Sequence, residues 1–121
     1  MSKANRSGPE ALAPLSQAVF HILLCLAEGE RHGYALRREI AQRTGGRLTL
    51  GPGVLYGSIA KMLDQGLIEE SDERPDPHLD DERRRYYRLT PLGRKAAHAE
   101  TARMRYMVAL AAAKFGSPEP A

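Results

Sequence analysis

Between residues 83 and 88 the chain reads Arg83, Arg84, Arg85, Tyr86, Tyr87, Arg88. Guanidinium groups interleaved with phenol rings suit one kind of chemistry, charge-assisted hydrogen bonding to a phosphate backbone. Asp80, Asp81 and Glu82 directly precede the run, and a duplex would repel them. Backbone contact is therefore expected from the base of this segment, with some of its arginines pairing to those acids. A second group is Tyr56, Gly57, Ala60 and Lys61, with Ser58 at its margin and Val54 two residues before Tyr56. On a helix these residues would present a polar tip, a cation and little bulk between them. Such a surface could approach base edges closely, with the Val54 methyls against a thymine methyl. A third candidate, Tyr34, follows His32 and Gly33 at an expected helix start, where backbone N–H groups and the helix dipole receive anions. Its phenol can donate to the same phosphate or pack on the following helix, and the spacing does not choose between the two. His32 fits a local turn hydrogen bond.

Other chemistries are poorly supplied. His21, His32, His78 and His98 are scattered, with no pair one helical turn apart and no cysteine beside them, so no zinc site is expected. Asp76, His78, Asp80 and Asp81 lack the central glycine of a calcium loop. No nucleophile–base set, phosphate loop or dinucleotide fingerprint is present, so neither an enzyme nor a cofactor is expected. Cys25 is the single cysteine, which excludes an internal disulfide and fits a reducing compartment. The longest apolar run, residues 18–27, is interrupted by His21 and too short for a membrane span. A cytoplasmic location is expected. The formal charge is only +3, but residues 69–82 hold eight of the fifteen acids and one base. The remaining chain carries seventeen Lys and Arg against seven acids, which favours a polyanionic partner.

The elements that must position these residues follow from periodicity and punctuation. In 121 residues there is room for one core. Residues 1–14 and 116–121 read as flexible ends. Ser16 caps a first helix that ends at Gly29, with Val19, Ile22, Leu23 and Leu26 on its inner face. A second helix is predicted over 33–44, stopped by Gly45 and Gly46. A short strand is predicted at 48–50, and a third helix opens at Pro52 with Leu55, Ile59, Met62 and Leu63 inward. Tyr56, Gly57, Ala60 and Lys61 are assigned to its outer face, with Ser58 at the margin. Gly66 supplies the stop. Strands over 67–71 and 83–90 form a hairpin, with Tyr87 and Leu89 on one face and Arg84, Tyr86 and Arg88 on the other. Thr90 and Pro91 start a last helix running to about Phe115. The fold class is mainly α with a small β-hairpin: a winged helix-turn-helix over 15–90 and a long C-terminal helix over 91–115.

With that order in place, four fragments resemble the PadR family. They are Arg31-His32-Gly33-Tyr34, Gly51-Pro52-Gly53-Val54-Leu55-Tyr56-Gly57, Gly66-Leu67-Ile68-Glu69, and the stretch from Arg85 to Gly93. The resemblance covers Leu15 to about Met107 and implies a DNA-binding winged helix, a C-terminal dimerisation helix, and repression relieved by a small molecule or stress signal. The single last helix resembles the family's short-tailed branch. Relatives commonly carry Ser or Thr where Val54 stands, so the hydroxyl contact of that position is missing here.

The last helix points the same way on its own. Met104, Met107, Val108, Ala111 and Phe115 form one apolar stripe, and Leu110 and Ala113 with Tyr106 a second. A helix apolar nearly all round must be covered all round, which calls for a second chain, together with the Phe20 and Leu24 side of the first helix. The partners expected are double-stranded DNA, a second copy, and a small apolar or aromatic effector, with no membrane. The absence of Trp weakens drug sensing by ring sandwiching. The alternative function is a winged-helix protein-interaction or ligand-binding module without an operator of its own.

Overall fold

The computed structural model describes residues 14–71 and 85–118. In order the elements are α1 (Gln17–Leu26), β1 (Arg31–His32), α2 (Gly33–Arg43), α3 (Pro52–Asp64), β2 (Ile68–Glu70), β3 (Tyr86–Leu89) and α4 (Pro91–Phe115). All but Pro14 of the expected N-terminal segment lies outside the described residues, as do Arg83, Arg84 and the acidic tip of the hairpin.

Each helix starts where its capping chemistry places it. The Ser16 hydroxyl accepts from the Val19 N–H, Pro52 occupies the first turn of α3, and the Thr90 hydroxyl accepts from the Gly93 N–H. Gly45, Gly46 and Gly66 take the left-handed conformation at the ends of α2 and α3, as expected. α1 packs on α2, α3 and α4, burying Ile22, Leu23 and Leu26 with Leu36, Ile40, Leu55, Ile59, Met62 and Leu67. Cys25 lies within this core; burial, with Glu39 nearby, pushes its thiol up to about 11, so the reactive thiolate is scarce at neutral pH.

One strand differs from expectation. Residues 48–50 are not a strand; the third strand is β1, which pairs antiparallel with β3 through Arg31 to Tyr87 and His32 to Tyr86. The sheet order is β1-β3-β2. Leu50 is buried, and its carbonyl is taken by Arg37 Nε at 2.8 Å, while the Leu48 N–H goes to the Thr44 hydroxyl at 3.0 Å. With these groups satisfied by side chains, the segment has no call on a ladder. In the hairpin, Ile68 faces Leu89 and Glu69 faces Arg88; Tyr87 is turned into the core, and its burial pushes the phenol pKa up.

The first half of α4 is fixed at two points. A Cβ on Gly93 would collide with the Leu67 carbonyl oxygen, so α4 rests its first turn directly on the backbone leading into β2. Further along, Glu100 is only 2% exposed and holds Arg103 through two hydrogen bonds. The guanidinium beside it, aided by the Leu15 backbone, holds the Glu100 carboxyl below its ordinary value of 4.5. A carboxylate with a depressed folded pKa contributes stability above its unfolded pKa and loses it as pH falls through the folded value. Glu100→Gln is accordingly expected to cost about 1–2 kcal/mol near neutral pH, as for a hydrogen bond to a charged group. The cost should shrink below pH 4.5, measured by urea unfolding across pH. A cost that does not vary with pH would mean the carboxylate charge is not what matters.

Candidate nucleic-acid interface

α2 and α3 meet where Gly33 leaves room for a ring. A Cβ on Gly33 would stand 2.9 Å from Tyr56 Cε1 and 3.0 Å from its hydroxyl, so Tyr56 packs over the start of α2. This corrects its assignment to the outer face of α3. Tyr56 lies seven residues before Leu63 and therefore only about 20° from it around the helix, on the core side. The alternative weighed for Tyr34, packing on α3, is the role of Tyr56. Tyr34 itself is 54% exposed and stacks loosely on His32, with ring centroids 6.5 Å apart. His32 makes the local bond expected of it: its Nδ1 accepts from the Ala35 N–H and caps α2.

The outer face of α3 consists of Gly53, Val54, Gly57, Ala60, Lys61 and Asp64, all exposed, with Ser58 at its edge. Gly57 is the middle of this face: Val54 and Ala60 lie about 60° to either side of it and Lys61 about 40°. Asp64 sits about 10 Å further along the axis, at the helix's far end. Lys61, with Arg38 on α2 and Arg47 in the following loop, makes no ion pair among the described residues. Arg38 and Arg47 were not singled out from sequence. The available signal was Arg38's position one turn after Tyr34, on the same side of α2.

The hairpin cations are differently placed. Arg88 Nε donates to Glu69 at 2.7 Å and the same guanidinium lies 3.9 Å from Glu30; Arg85 reaches Glu70 at 3.1 Å. Arginine pairing was expected with the acids at the hairpin tip. Among the described residues, Arg85 and Arg88 pair with glutamates of β2 and of the α1–β1 turn, while the acids expected as partners, Asp80, Asp81 and Glu82, lie outside the described residues. Arg84 lies outside the described residues. Among the described residues no cluster of three or more His, Cys, Asp or Glu could hold a metal ion, and no helix is long and apolar enough to cross a membrane.

Of the residues assigned to a subunit seam, Phe20, Leu24 and Met104 are half-buried, whereas Met107, Val108, Leu110, Ala111 and Phe115 are exposed, Phe115 to 86%. Phe20 and Met104 line a groove of about 640 Å³ with Leu15 and Leu48. A larger groove, about 1000 Å³, runs along the start of α4 between Leu89, Pro91, Arg94, His98 and Ala102.

Three helices, a three-stranded sheet, and an α3 whose outer face is exposed define a winged helix-turn-helix protein. Residues 22–99 match the transcriptional regulator PadR-like family, and the chain belongs to that family, one of regulators and not of enzymes. It is similar to a transcriptional regulator from Clostridium thermocellum (26% identity, TM-score 0.68, covering 80% of this chain and 90% of that one). A PadR family transcription regulator from Clostridium difficile has the same fold (20% identity, TM-score 0.69, covering 84% and 100%). An uncharacterised 37.1 kDa protein of a Streptomyces fradiae transposon is 38% identical over 79 residues, which are 65% of this chain. The match spans only about a fifth of that relative's length.

Proposed function

We propose that this DNA-binding regulator is a cytoplasmic dimeric repressor that sets α3 into the major groove of a near-palindromic operator and is released by a small apolar or aromatic effector. The observation that carries the proposal is the outer face of α3, which the fold leaves exposed from Gly53 to Lys61. Residues 15–90 then form the DNA-binding part, with Val54, Gly57 and Ser58 at the bases, Lys61 reaching a phosphate at the groove edge, and Tyr34 at the backbone. Tyr56 acts by seating α3 on α2, its ring and hydroxyl lying against Gly33. Arg84, Arg85 and Arg88 contribute a weaker backbone contact, because the latter two must first leave their glutamates. Residues 91–115 form the dimerisation helix, whose apolar end seats against the partner's Phe20, Leu24 and Met104. The groove beside Arg94 and His98 has room for a small effector.

The test is the salt dependence of duplex binding. Each phosphate neutralised adds about 0.9 to the slope of log affinity against log salt. Lys61→Ala is expected to lower the slope by about one, whereas Arg88→Ala should change it by less than half as much. A wild-type affinity for duplex that is absent or indifferent to salt would overturn the proposal and leave a protein-interaction module.

A further inference from the structure

Four glycines of the chain fall into two kinds. Gly33 and Gly93 are required by packing, since a Cβ on either meets a tyrosine ring or a backbone carbonyl. Gly53 and Gly57 are not: a Cβ on either meets nothing within 4 Å, and neither has a positive φ. Glycine inside a helix is the least favourable choice after proline, so Gly57 weakens α3 with no internal return. The space it leaves opens outward, at the middle of the exposed face, one turn from both Val54 and Lys61. Beside it Val54 is 56% exposed and carries only methyl groups, while Lys61 is the face's one cation. Around Gly57 and Val54 the face carries no side-chain donor or acceptor, so that part of it reads no base by paired hydrogen bonds. The feature it can distinguish is the C5-methyl of thymine, the one apolar mark in the major groove.

We propose, resting on the reading of α3 as the groove helix, that Val54 determines specificity by packing on a thymine methyl, at a helix-to-base distance that Gly57 sets. The charge agrees, since Lys61 supplies attraction beside the contact, while Asp64 stands about 15 Å along the axis from Val54. A larger residue at 57 would lift the helix and break the Val54 contact without touching the core.

The experiment uses the full chain and the duplex it selects from a random pool. Deoxyuridine replaces thymine one position at a time, removing the methyl and no hydrogen-bonding group. At one position in each half-site the wild type should lose affinity about fourfold per methyl. Val54→Ala should bind more weakly and be indifferent to that same replacement. Gly57→Ala should raise the unfolding midpoint by about 3–6 °C and yet bind at least about tenfold more weakly. Both variants improve helix propensity at exposed positions, so weaker binding cannot be laid to unfolding. Wild-type indifference to deoxyuridine at every position would overturn the methyl contact and leave operator binding intact. Unchanged affinity in Gly57→Ala would overturn the close approach. Failure to select any duplex would overturn the reading of α3 itself.

Discussion

Replacing Gly93 by alanine is expected to cost at least about 3 kcal/mol and to lower the unfolding midpoint by more than about 10 °C. The new Cβ would collide with the Leu67 carbonyl oxygen and crowd Leu89 Cδ1 at 2.8 Å. A flexible side chain could yield, but this carbonyl cannot, because it is the anchor of the joint. It accepts from the Thr90 N–H at 3.2 Å and lies 2.9 Å from the Thr90 hydroxyl, which also caps α4. Moving it would loosen the start of α4 and the start of the hairpin together. Thermal unfolding followed by circular dichroism measures the effect. A midpoint within a few degrees of wild type would show that α4 is not seated through its first turn.

Ending the chain after Arg105 is expected to give a folded monomer that binds its operator at least about a hundredfold more weakly. The cut keeps Gly93, Ala96 and the Glu100–Arg103 pair, the contacts that tie α4 to its own domain. It removes Tyr106, Met107, Val108, Leu110 and Phe115, which are exposed and have no cover among the described residues. If these residues join two copies, binding of one half-site makes the second intramolecular, and the loss measures that effective concentration. Sedimentation and titration of the selected duplex decide the matter. A full-length monomer at micromolar concentration, with the shortened chain binding equally well, would remove the dimer from the proposal.

The helices were legible in sequence because their ends carry local chemistry. Ser16, Pro52, Gly66 and Thr90 act on groups within a few residues, and each does what its type predicts. The alternation that turns Tyr87 inward was equally local. β1 was not legible: two residues carry no periodicity, and their partners lie more than fifty positions away in β3. The pairing of Arg88 with Glu69 and Glu30 depends on strand register and on a turn, neither of which charge counting supplies. Tyr56 was different in kind. Its interval of seven to Leu63 was on view, and weighting the residue's chemistry over its helical angle placed it outward. That Gly57 would let the helix approach base edges was readable from its size, but that nothing inside the fold requires it emerged only by contrast with Gly33 and Gly93, once the space around each was known.

The glutamates beside Arg85 and Arg88 also bear on how a regulator divides its time along a chromosome. Sequence-independent attraction to DNA comes from cations free to displace counterions, and a genome offers about 10⁶–10⁹ competing sites of that kind. Arginines already engaged by Glu69 and Glu70 add little to that background hold. On the proposed reading, the hairpin at a true site would be held to the backbone for as long as α3 stays in its groove, and glutamate could then be exchanged for phosphate. If so, the ion pairs would lower occupancy of arbitrary sequence more than occupancy of the operator, and fewer molecules per cell would keep the operator filled.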